Sequence, residues 1–255
     1  LEGFESTGAG TGSTVTSGTP AVEVAVDDID ADVVSGTDAL MLRSADSPGI
    51  RVTGQPAATC DPSNAANTSA ALMVTDNTVL ANDQVVMVTN CANATVFQIT
   101  NFNTATNVVV HNTGGTSVPG NSTQNLGTCY IGGEIVTLSS KAYYVRLNPA
   151  GVPTLYRRVG TGTAEEVVQG VENMQIEYGL DATDDSQADS YVTADAVTDW
   201  NDVVSVRISL LMRSVEPNTA SAPQPYRFDG ATVTPTDRFL RQVVTSTVAV
   251  RNKAY

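Results

Sequence analysis

Four aspartates fall within nine positions of the stretch "YGLDATDDSQADSYV", residues 178–192: Asp181, Asp184, Asp185 and Asp189. Counting oxygen-bearing side chains sharpens the pattern, because Asp181, Thr183, Asp185, Gln187 and Asp189 occupy every second position. Calcium, a hard cation, takes oxygen ligands from loops with this alternation. Two positions depart from the usual calcium loop: the sixth residue is Ser186 instead of glycine, and the twelfth is Val192 instead of a bidentate glutamate. The same residues suit a polar turn whose carboxylates stay in water, and both readings remain open at this level.

Other chemistry finds little to work with. His111 is the sole histidine and sits in "VVVHNTGG", a β-rich context, with no G-x-S-x-G elbow elsewhere. The glycine clusters at 8–12 and 114–115 do not open helices after strands, so neither a phosphate loop nor a dinucleotide fingerprint is present. No pair of carboxylates stands out as a glycosidase couple. The expectation is a protein that is not an enzyme. Cys60, Cys91 and Cys129 are too few for a disulfide scaffold and form no C-x-x-C pair for zinc. They allow three single pairings, each leaving one over, or three small buried thiols.

The elements that must position these residues are mainly strands. The chain of 255 residues is rich in Thr, Val, Ala, Asn and Gly, which favours strands and loops over helices. It is long enough for one large domain, expected over 21–255 behind a flexible Gly/Ser/Thr-rich lead-in at 1–20. Thirteen Lys and Arg against 27 Asp and Glu give a net charge of −14, which repels phosphate backbones and argues against nucleic acid as a partner. No stretch approaches the roughly 18 apolar residues of a membrane span, and 1–20 lack the basic start and apolar core of a signal peptide.

Strands are predicted at 21–26, where Val22, Val24 and Val26 alternate, and then at 39–43, 85–89, 95–100, 107–112 and 134–140. Residues 54–82 read as an irregular excursion with one apolar cluster at 72–74, and 101–128 as loop interrupted by the strand at 107–112. "AYYVRLNPAGVPTLYRR" predicts a hairpin with its tip at "NPAGVP". "GVENMQIEYG" predicts a half-buried strand leading into the aspartate loop, with Val171, Asn173, Gln175 and Glu177 on one side and Met174, Ile176 and Tyr178 on the other. A short helix is expected in "TADAVTDWNDV", with Thr193 as N-cap and Asp195 in its first turn. "VVSVRISLLMRS" alternates Val204, Val206, Ile208, Leu210 and Met212 against Ser205, Arg207, Ser209, Leu211 and Arg213, and "RFLRQVVTSTVAVRN" closes the chain as a strand.

Taken in order, "GTDALMLRSAD" (36–46), "DQVVMVTNCANATVFQIT" (83–100), "YYVRLNPAGVPTLYRR" (143–158), "VVQGVENMQIEYGLDATDDSQADSYV" (167–192), "WNDVVSVRISLLMRS" (200–214) and "RFLRQVVTSTVAVRN" (238–252) resemble the PilW-like minor pilins of bacterial type IV pili, relatives of the J pseudopilins of type II secretion. The resemblance implies a mostly β, α+β pilin-like head of antiparallel sheets, long loops and a short helix, without the N-terminal pilin helix. It implies a minor pilin that primes pilus assembly and sits near the tip, acting by contact with other minor pilins and a tip adhesin. It implies a place on the extracellular pilus, with inner-membrane anchoring, through the helix absent from this chain, before assembly. Calcium at the aspartate loop is the one cofactor implied. So is a disulfide, either Cys60 with Cys129, leaving Cys91 to a cysteine in the missing region, or Cys91 with Cys129. The rival from composition is a secreted carbohydrate-binding or adhesive β-sandwich module.

Overall fold

The computed structural model describes residues 2–4, 33–45, 49–56, 70–75, 79–113, 116, 120–160 and 162–250. The predicted strand at 21–26, Cys60 and most of the 1–20 lead-in lie outside them.

The strands are β1 Glu2–Phe4, β2 Ala39–Ala45, β3 Ile50–Gly54, β4 Ala71–Val74, β5 Val85–Thr89 and β6 Ala94–Gln98. There follow β7 Asn101–Asn103, β8 Val108–Val110, β9 Glu134–Leu147, β10 Pro153–Val159, β11 Glu165–Gln169 and β12 Val171–Leu180. The chain ends with β13 Ser190–Val192, β14 Val203–Arg213, β15 Tyr226–Phe228, β16 Ala231–Val233 and β17 Arg241–Ala249. The molecule is mostly antiparallel β, as composition suggests, and among the described residues there is no α-helix. The short helix expected after Thr193 is instead two single 3-10 turns, Ala194–Ala196 and Trp200–Asp202. Thr193 holds the N-cap position, but its hydroxyl bonds the Asp195 carboxylate and leaves the turn uncapped. Asp199 caps the second turn by accepting the Asn201 N–H.

The chain divides into two compact units, 43–139 and 1–42 with 140–255. In the first, β5 pairs with β6 and with the start of β9, while β3 pairs with β4 and β4 with β8. Alternate residues of these strands, including Val52, Leu72, Val86, Val88, Val109 and Ile135, are fully buried in one apolar core. Burying them offsets chain entropy by the removal of apolar area from water. A polar clasp closes this unit's loops: Gln98 and Asn121 exchange backbone and side-chain hydrogen bonds, and the Gln98 amide also reaches the Asp83 carbonyl. Residues 101–128 are therefore less irregular than composition suggests, with β7 pairing onto β8.

In the second unit β10 pairs with β9 and β11, and a four-stranded sheet runs β13-β12-β14-β17. The β9–β10 hairpin turns at the expected place, where the Asn148 side chain accepts the N–H groups of Ala150 and Val152. Met174, Ile176 and Tyr178 face the core alongside Val206 and the half-buried Ile208, Leu210 and Met212. Val171 joins that buried side, against the strict alternation expected of β12. The reason is a bulge: the register slips between Val171 and Asn173, so Glu172 becomes the extra residue. Gly170 precedes it at φ 81, and a side chain there would collide with the Arg213 carbonyl that closes on it. Asp38, nearly fully buried, ties the segment before β2 to β12 by accepting the Ile176 N–H at 2.7 Å.

Candidate functional site

The aspartate loop leaves β12 at Leu180 and returns in β13, which pairs back onto β12 through Tyr178↔Val192 and Leu180↔Ser190. The strands deliver Asp181 and Asp189 side by side, because the Asp189 N–H donates to the Leu180 carbonyl at 2.8 Å. The loop is organised around Asp181. Its carboxylate accepts the backbone N–H groups of Ser186 at 2.7 Å and of Thr183 and Asp185 at 3.2 Å each. Burial pushes its pKa up, yet the N–H groups of Ser186, Asp185, Thr183 and Asp184 outweigh that and leave the carboxyl below its ordinary range. Asp189 accepts the Ala182 N–H at 2.8 Å and the Thr183 hydroxyl at 3.3 Å, and Asp185 accepts the Gln187 N–H at 2.9 Å.

The five residues picked out by spacing are thus one connected network. Among the described residues no three His, Cys, Asp or Glu side chains converge as a metal-binding group. Asp184 and Ser186 take left-handed backbone at φ 58 and 64. Ser186 therefore adopts, without being glycine, a conformation that favours glycine.

Around the loop, packing is specific. Trp200 stands edge-on to Tyr178 at 4.9 Å, and the Arg207 guanidinium lies 3.5 Å over the Tyr191 ring while pairing with Glu177 at 3.1 Å. The cation–π contact links β14 to β13 across β12, and the half-exposed ion pair joins β14 to β12.

At the far end of the same sheet lies a cluster that no local pattern announces. Arg241 donates to Glu172 from Nε at 2.6 Å and Nη2 at 2.9 Å, and to both oxygens of Asp237. Arg213 adds a third contact to Glu172 at 3.1 Å and lies over the Phe239 ring. The Arg241 hydrogen bonds hold the Asp237 carboxyl down at about 2. These groups meet because the β12 bulge points Glu172 at its neighbours, 69 residues from Arg241 along the chain. The cluster ties the segment before β17 to the sheet.

Of the remaining candidates, His111 is fully buried beside Phe97, ring centroids 4.9 Å apart. Burial lowers its pKa to about 4, against a smaller upward push from the backbone, so the imidazole is neutral at pH 7. Cys91 is exposed and free at the tip between β5 and β6, where Asn90 accepts the N–H groups of Ala92 and Asn93. Cys60 lies outside the described residues.

These groups brace strands and shape loops of a β-rich chain. Residues 142–252 match the family model PilW, type IV pilus-assembly protein W, and this match supports a PilW-like pilus protein. The match begins in β9, runs through β17 and includes the aspartate loop and the Arg241 cluster; the resembling segments at 36–46 and 83–100 lie outside it. No curated protein and no solved structure matched the chain. The description of that family concerns type IV pilus assembly, a process of protein–protein contact at the cell-surface pilus. Among the described residues no helix is long and apolar enough to cross a membrane.

Proposed function

We propose that this chain is the head of a minor pilin that joins other minor pilins in a complex priming pilus assembly, and that it sits near the pilus tip. The observation that carries the reading is the PilW match over 142–252, which covers the four-stranded sheet and both of its polar clusters. The mechanism is contact: rigid strands hold loops in fixed places, and partners read the shape. Anchoring in the inner membrane before assembly belongs to the same reading, and a tip adhesin is a further partner. Co-purification with each minor pilin of the same system tests this. A stable complex with at least one is expected, and failure with all of them overturns the priming role.

Calcium at the aspartate loop belongs to the same proposal. The oxygen spacing supports it, and so does the left-handed backbone of Ser186 at the sixth position, where calcium loops place glycine. Binding would draw Asp185 and Asp189 in toward Asp181. Calcium titration is expected to raise the melting temperature of the wild type but not of Asp185→Ala or Asp181→Ala; an unmoved wild type removes the site.

The disulfide we propose is Cys60 with Cys129. The free state of Cys91 supports that choice. Peptide mapping without reduction should recover Cys60 and Cys129 in one linked pair, whereas a Cys91–Cys129 peptide would refute it.

A further inference from the structure

The last described strand, β17, has one open side. Among the described residues β17 pairs only with β14, from Ser205↔Ala249 to Arg213↔Arg241, and so forms the edge of its sheet. It is nine residues long and exposed along most of its length, with Val244 46% and Val248 56% accessible. Exposed edges of this length are usually blunted by lysine, proline, inward charge or a bulge. From Gln242 to Ala249 the strand carries no charge, no proline and no glycine, and its register with β14 runs without a slip.

We propose that β17 is the surface through which two copies of this chain associate, antiparallel, about a two-fold axis passing Ser246. Two features select a second copy as the occupant. The first is self-complementarity: residues 244–248 read Val-Thr-Ser-Thr-Val, the same in both directions. In the register centred on Ser246, Val244 of one copy faces Val248 of the other, and Thr245 faces Thr247, each pair occurring twice. Valine pairs and threonine pairs are favourable cross-strand neighbours, and a two-fold interface requires such a self-matching patch.

The second feature is charge. A chain of net charge −14 repels its own copy almost everywhere, so association must use an uncharged stretch. β17 supplies one, and its only charged residue, Arg241, is already bound to Glu172 and Asp237. The pairing also continues the apolar face, because Val244 and Val248 lie opposite Leu210 and Val206 of the core. A single added strand pair buries less than the ~1,200–2,000 Å² typical of stable complexes, so the dimer is weak and forms at high concentration. The proposal does not depend on the priming role.

Sedimentation equilibrium under reducing conditions, from micromolar to millimolar protein, tests it. The average mass is expected to climb from 26.6 kDa toward twice that value, more readily at higher salt. Val244→Lys and Val248→Lys, both at exposed positions, should keep the wild-type circular dichroism and weaken association at least tenfold. In a Cys91→Ser background, Ser246→Cys should oxidise to a covalent dimer, since that residue faces itself across the axis. A mass that stays at the monomer value, or a dimer untouched by both lysine variants, overturns the proposal.

Discussion

His111 shows how one residue can look like chemistry and act as structure. Its imidazole is fully buried, and neither ring nitrogen has a protein hydrogen-bond partner. Burial takes water away from any charge there, which is why its pKa falls to about 4. The unfolded chain binds a proton near pH 6.5 and the folded chain near 4, so stability is complete above about 6.5 and is lost as pH falls toward 4. A shift of this size is worth about 3 kcal/mol. His111→Leu should flatten the pH dependence of urea unfolding between pH 6.5 and 4; an unchanged slope would show that His111 does not drive it. Asp181 makes the complementary point. Its place in an alternating run is visible in the sequence, but its service to three backbone N–H groups depends on a loop conformation that spacing does not specify.

Among the elements, strands with apolar alternation or β-branched runs were legible: β5, β12, β14 and β17 lie where those patterns occur. Three features were not. Glu172 is shifted by the bulge, which reverses the face expected for Val171. The β15–β16 hairpin did have a signal in Asp229-Gly230, both at positive φ, a dipeptide suited to a two-residue turn. The Arg241 cluster had none, since its members come together only when β17 is laid beside β14 with the bulge in place. That cluster should behave as a unit. Arg241 is 6% exposed and Glu172 18%, so removing the guanidinium leaves a largely buried carboxylate with Arg213 alone. Arg241→Gln is expected to cost about 3 kcal/mol in urea unfolding. Arg241→Lys should fall between, because an ammonium cannot make the two-pronged contact. A loss under about 0.5 kcal/mol, the scale of an ordinary surface substitution, would show the cluster to be ornamental.

For the whole molecule, excess acid is the dominant physical fact. With 27 acidic and 13 basic side chains, self-repulsion is expected to oppose the compact state more than the internal ion pairs support it. Raising NaCl from about 20 to 300 mM shortens the Debye length from roughly 20 Å to under 6 Å and should raise the melting temperature. A fall would mean that the ion pairs outweigh the repulsion. The sequence by itself determined the β-rich class, the acidic surface and the order of segments that resembles PilW-like pilins, because composition, alternation and chain order are local or additive properties. Only the tertiary structure decided which face Val171 takes, that Asp181 spends its oxygens on its own loop, that Glu172 and Arg241 meet, and that among the described residues β17 ends a sheet with one edge open. Each of these depends on register and on neighbours distant in the chain, and register is settled only when a whole sheet pairs at once.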